Sequence, residues 1–260
     1  MKLVMSLLLL VAMLTCFVPF CAAETGGEAA TLTCLPVEVC SVCESSNFLH
    51  IECEYPQFPT IGASFNQQIG TTVEAAIDAF KKASDNNREM WLQTHPPQED
   101  ADTATAPFVF IASWQPDQLN NQYISLHFNI YSFTGGAHGS EQIHTFNCDA
   151  VTGKQLSITD FLGNSEALLK KISQVCAADI LSQLTSQGWS GDHGIKEMIA
   201  EGTSPTPDNF KEFTFDNYNL TIYFQRYQVA PGAAGSLTAQ IPLSSLGSIA
   251  SSYCSCPRVD

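Results

Sequence analysis

Two periods alternate along the chain. Leu49, Ile51 and Cys53 alternate with His50, Glu52 and Glu54, the period of a half-buried strand, with Pro56 expected to end it. Phe65, Ile69, Val73, Ala76, Ile77 and Phe80 then share one face of a helix near 64–82, opened by Ser64 and Gln67 as a capping-box pair. Residues 93–107 carry turn and loop chemistry throughout. Phe108 to Trp114 is apolar at both parities, as in a central strand. Ile124, Leu126, Phe128 and Ile130 share one face of the next strand, and Tyr123, Ser125, His127, Asn129 and Tyr131 share the other. After the turn Gly135-Gly136-Ala137-His138-Gly139, the segment Glu141 to Asp149 pairs back, and Val151 to Lys154 closes a hairpin. Leu168, Ile172, Cys176, Ile180 and Leu184, at i, i+4 spacing, predict a second long helix over 165–187, followed by a short one at 195–200. Strands return at 213–215, 220–224 and 237–241. Strands grouped around two helices predict an α+β fold: an antiparallel sheet meander packed by the two helices, in two joined subdomains stapled by disulfides.

Residues 1–23 read as a signal peptide, with Lys2, a leucine-rich run, and cleavage after Ala23. The chain is therefore expected to be secreted or periplasmic. A lipid anchor at Cys16 or Cys21 is the rival reading, disfavoured by Thr15 and Phe20. Residues 24–46 read as a Cys-rich extension, 47–100 as an N-terminal α+β subdomain, 101–250 as a C-terminal one and 251–260 as a Cys-containing tail. No later stretch has the apolar length of a membrane span. The net charge of −15 argues against nucleic acid and anionic lipid as partners and suits a basic protein, although acidity also simply keeps an exported chain soluble. Beyond the leader, Cys34, Cys40, Cys43, Cys53, Cys148, Cys176, Cys254 and Cys256 form an even set of disulfide candidates. Cys148 and Cys176 either bridge to each other or are buried thiols. A zinc site from Cys40, Cys43, Cys254 and Cys256 is the alternative, disfavoured in an oxidising compartment.

No nucleophile elbow, zinc-protease, phosphate-loop or dinucleotide motif occurs. Thr214-Phe215-Asp216-Asn217 resembles the Thr-Phe-Asp-Asp motif of polysaccharide deacetylases, but the second acid and a pair of histidines four apart are missing. The chain is accordingly expected not to be an enzyme and to use no cofactor. His138 and His144, with Asp149 and His127 on neighbouring strands, form a set able to hold a metal, but nothing fixes the spacing that ligation needs. The preferred reading is steric: the glycines admit positive φ and a tight reversal, and His138 donates to a backbone carbonyl to pin the loop. Binding is then expected on that turn, at Gly135, Gly136, His138 and Gly139, with Tyr131 and Tyr227, and also Trp114, as aromatic anchors. For a wall hydrolase, Asp149 and Asp160 are the acids to nominate, Asp160 reading better as a helix cap.

Glu54-Tyr55-Pro56-Gln57-Phe58, before a helix opening with Phe65-Asn66, resembles the N-terminal part of a bacterial extracytoplasmic domain found beside peptidoglycan deacetylases of the PdaC type. The Gly135–Gly139 turn, Phe146-Asn147-Cys148-Asp149, Thr152-Gly153-Lys154, Ile158–Leu162, Phe224–Pro231 and Ile241–Leu246 resemble the outer domain of lysozyme-sensing anti-sigma factors of the RsiV kind. The likeness runs from about Phe48 to Leu246 with its motifs in order. It implies an exported, non-catalytic recognition domain that binds a cationic protein such as lysozyme or another wall-active partner. A cell-wall glycan hydrolase or glycan-binding accessory protein is the alternative. Without a sigma-binding segment, a transmembrane helix or a deacetylase domain, and with added cysteines at both ends, the chain is expected to recognise rather than to signal.

Overall fold

The computed structural model describes residues 16–17, 35–94, 107–189 and 193–247. Seven strands form the larger sheet in chain order: β1 (Cys16–Phe17), β2 (Glu38–Ser45), β3 (Leu49–Gln57), β4 (Phe108–Leu119), β5 (Tyr123–Phe133), β6 (Ser140–Asp149) and β7 (Lys154–Gln155). Helix α1 (Ala63–Thr94) connects β3 to β4, which pair in parallel; every other pair is antiparallel. The sheet is thus mixed, not the antiparallel meander expected. A parallel pair needs a crossover, and α1 is that crossover. The short α2 (Ile158–Phe161), then α3 (Glu166–Ser186) and α4 (His193–Gly202), precede a three-stranded antiparallel sheet of β8 (Phe213–Phe215), β9 (Asn219–Phe224) and β10 (Leu237–Pro242), ordered β10-β9-β8.

Each sheet has its own core. In the first, α1 lays Phe65, Ile69, Val73, Ile77 and Phe80 against Ile51, Phe108, Phe110, Leu126, Phe128 and Phe146 of the sheet. In the second, Leu169, Ile172, Cys176, Ile180 and Leu184 of α3 meet a phenylalanine-rich set that includes Phe161, Phe210, Phe213, Phe215 and Phe224. Ser165 caps α3 by accepting from the Leu168 N–H. The cores divide between Cys148 and Leu156, so β4–β6, read from sequence as part of the C-terminal subdomain, line the first core.

Several local expectations change. Helix α1 runs to Thr94, past its apolar stripe, because no Gly or Pro interrupts residues 71–94; the rest of the expected 93–107 loop, through residue 106, lies outside the described residues. Strand β3 continues through Pro56, where β2 alone lies alongside, since pairing with β4 stops at Cys53; a missing donor is tolerated there. Part of the supposed extension, β2, pairs along its whole length with β3, and Leu35 and Val37 are core residues. Strand β4 buries Phe108, Phe110 and Ala112 but leaves Ile111 40% exposed, so only one of its faces is covered.

The expected disulfide staple is not found among the described residues. Cys40, Cys43, Cys53, Cys148 and Cys176 are free thiols, and Cys34, Cys254 and Cys256 lie outside the described residues. Cys148 belongs to the first core and Cys176 to the second, so no bridge joins them. Burial pushes the thiols of Cys53, Cys148 and Cys176 up to about 12, keeping them protonated and unreactive. Among the described residues, no helix is long and apolar enough to cross a membrane.

Candidate binding cleft between the two cores

The second core docks along the exposed edge of β6 through side chains rather than through another strand. The Glu212 carboxylate accepts from the Thr145 N–H at 2.8 Å, and the Gln225 side chain accepts from the Ile143 N–H and donates to its carbonyl. Deeper in, the Ser125 hydroxyl donates to Asn147 Oδ1 at 2.7 Å and accepts from the Phe215 N–H, while Asn147 Nδ2 donates to the Phe213 carbonyl at 2.7 Å. These contacts satisfy an edge that would otherwise present unpaired backbone groups.

The join leaves an open cleft of about 440 Å³ between the Gly139–His144 stretch and Lys211, Glu212 and Gln225–Tyr227. The glycine turn forms one wall. Gly135 and Gly136 sit at φ 96° and 102°, a region closed to most side chains, and the Asn87 side chain of α1 donates to the Thr134 carbonyl, tying the turn to the helix. A Cβ on Gly139 would overlap the Tyr131 ring, so the glycine admits that ring. His138 Nδ1–H donates to the Gly139 carbonyl at 3.0 Å, the pinning role expected of it. From the opposite wall, Arg226 Nη1 reaches the same carbonyl at 3.4 Å, and its Nε–H donates to Gly232 O at 2.8 Å. Tyr227 sits at φ 70°, rare for a bulky residue, with its ring against Gly232 where any Cβ would collide. That ring is 62% exposed, and the Arg226 guanidinium lies 5.4 Å from its centroid.

The candidate residues therefore do not all meet. His138, Gly139 and Tyr227 line the cleft, Gly135 and Gly136 shape its turn, and Tyr131 packs behind Gly139. Trp114 is half-buried against the first core. The four members of the metal set separate. His144 lies 3.8 Å from Glu212, and His127 bonds Asp117. Asp149 accepts from the N–H groups of Val151 and Thr152 in a turn, and among the described residues no cluster of His, Cys, Asp and Glu could hold a metal. Asp160 is the capping-box partner of Ser157, and Lys154 and Ser157 hold its carboxyl down at about 2. Asp216 accepts from the N–H groups of Tyr218 and Asn219, so it builds a turn.

One constellation escaped sequence reading. At the bulge between Pro116 and Gln118, Asp117 turns its carboxylate to His127 Nδ1, 2.7 Å away. The Tyr223 hydroxyl from the second core lies 3.3 Å from the same nitrogen, and burial, reinforced by the Asp117 charge, pushes its phenol up to about 12. The Asp117 carboxylate thus orients the His127 imidazole through its Nδ1. A proline-containing bulge in mid-strand was the only sequence signal for it.

Two family models fall on the two cores. Residues 42–141 match the model described as deacetylase PdaC, and residues 159–244 match a family of unknown function, DUF3298. The chain is thus similar to both families, to each over a part of its length. A PdaC-type relative, the peptidoglycan-N-acetylmuramic acid deacetylase PdaC of Bacillus subtilis, is 31% identical over 128 residues, 49% of this chain and 26% of that protein's length. The solved structure of a DUF3298 family member from Bacteroides fragilis superimposes with a TM-score of 0.50 at 19% identity, over 81% of this chain and 91% of that one, and shows a shared fold. A DUF3298 protein from Pseudomonas aeruginosa gives 0.49 at 17% identity, over 82% and 92%. The expectation of a non-enzyme does not stand, because the Bacillus subtilis relative is named as a peptidoglycan deacetylase. Motif absence misled because it tested only for active sites of known pattern.

Proposed function

We propose that this chain engages peptidoglycan by seating an N-acetylated glycan strand in the cleft between the cores. Tyr227 carries the reading: an exposed aromatic ring, fixed at positive φ against Gly232, beside Arg226 and facing His138 and Gly139 across the cleft. An aromatic face beside guanidinium, amide and imidazole groups suits the apolar face of a sugar ring and its hydroxyl and acetamido substituents. The substrate in the name of the Bacillus subtilis relative is of the same class. On this reading Gly135, Gly136 and Gly139 shape the wall, and Tyr131 supports it.

Co-sedimentation with purified insoluble peptidoglycan tests the proposal. The wild-type chain should pellet, and Tyr227→Ala and Arg226→Ala should each shift it to the supernatant; pelleting undiminished in the double variant would overturn the assignment of the cleft. Acetate release measured in the same samples, with His127→Gln as the control variant, reports whether the strand is also a substrate. The excess of 26 acidic over 11 basic residues favours a second reading, a cationic protein such as lysozyme as partner. Charge-driven association of that kind fades as salt is raised, whereas stacking on Tyr227 persists, so a salt series separates the two.

A further inference from the structure

The apolar stripe of α1 steps by about four residues from Phe65 through Ile69, Val73 and Ile77, with Phe80 beside it, and the next inward position is Ser84. A hydroxyl occupies the place of a large apolar side chain, and a cavity of about 590 Å³ opens there between α1 and the β2–β3 turn. Ser84 lines it and is only 4% exposed, yet its Oγ has no hydrogen-bond partner. A buried hydroxyl without a partner is destabilising, so the position is poor as mere packing.

The charged groups around Ser84 are unevenly matched. Lys81 donates to the Glu44 carboxylate at 2.6 Å, and that pair satisfies itself. Arg88, two turns of helix beyond Lys81, lies over the Phe48 ring at 4.2 Å and takes no part in an ion pair among the described residues. Asp85, one position beyond Ser84, has no basic partner among them either. Lys81, Ser84, Asp85 and Arg88 fall at i, i+3, i+4 and i+7, one helix face, and all four line the cavity. A single donor hydroxyl, one cation and one anion thus stand unmatched around one space.

We propose that this cavity is a binding site for a small zwitterion, a free amino acid or a dipeptide. Its carboxylate takes the Arg88 guanidinium and the Ser84 hydroxyl, its ammonium takes Asp85, and its short side chain rests near Phe48. The site is separate from the inter-core cleft, and neither proposal depends on the other.

Isothermal titration of the full chain with alanyl-alanine, its N-acetyl derivative and its C-terminal amide tests this. Saturable binding of alanyl-alanine is expected, weakened about tenfold or more by either cap, because each cap removes one charge-assisted contact. Arg88→Gln should abolish the discrimination against the amide. Ser84→Ala should weaken binding while leaving the melting temperature unchanged or raised, since it removes a hydroxyl that has no partner in the empty site. Arg88 is exposed, so its variant keeps the test open if Ser84→Ala fails to fold. No saturable binding of any of the three peptides at millimolar concentration, or equal binding of all three, would overturn the proposal.

Discussion

Phe146 and Asn147 are neighbours on β6, and their side chains leave opposite faces of one sheet for different surroundings. Phe146 enters the first core, edge-on to Phe128 with ring centroids 5.5 Å apart. Asn147, equally buried, enters the seam between the cores and is held by Ser125 and the Phe213 carbonyl. Each core is held by apolar burial that needs no particular direction. The seam is held by hydrogen bonds that fix angle and register, so it sets the shape of the cleft. Stability and shape therefore have different sources: the cores supply most of the folding free energy, and the seam supplies geometry.

Substitutions in the two regions should rank accordingly. Phe110→Ala in the first core and Phe224→Ala in the second should each cost about 3–5 kcal/mol in denaturant unfolding; a loss under about 1 kcal/mol at either would break the contrast. Asn147→Ala leaves the Ser125 hydroxyl and the Phe213 carbonyl short of a partner and should cost about 1–3 kcal/mol, together with reduced glycan retention. Gly139→Ala forces the Tyr131 ring aside, for about 1–3 kcal/mol, and should alter the cleft while leaving both cores packed; tyrosine NMR signals would show Tyr131 moving. The smallest effect is pH dependence at Asp160. Its folded pKa is depressed to about 2 by hydrogen bonds from Lys154 and Ser157, so its stabilisation is complete above the ordinary carboxylate range and is lost as pH falls toward 2. Thermal melts from pH 5 down to 2 should show a smaller acid-side loss in Asp160→Asn than in the wild type.

The regular parts of this design were legible in the chain. The stripe Leu168 to Leu184 with Ser165 ahead of it located α3, and the i, i+4 apolar positions located the buried face of α1, because burial of one face imposes the helical period on the sequence. The parallel pairing of β3 with β4 left no mark, since alternation is the same for either strand direction. The site was half legible. Glycines and His138 announced a constrained turn, whereas the seam depends on Glu212, Gln225 and the bulged Asp117, polar residues whose partners lie as far as 82 positions away in the chain. Long-range polar pairing has no sequence period. The positive φ of Tyr227 was equally hidden, because local propensity opposes it and only packing on Gly232 sustains it.

Affinity for matched glycans would show whether the seam builds the proposed cleft for N-acetylated cell-wall glycan. Dissociation constants for one soluble peptidoglycan fragment, N-acetylated and chemically de-N-acetylated, would be measured for the wild type and for Tyr227→Ala. The wild type should bind the acetylated form more tightly, and the variant should lose about tenfold or more in affinity, consistent with removal of a stacking aromatic of about 1–3 kcal/mol. Equal affinity for both forms, with no change in Tyr227→Ala, would contradict the proposal.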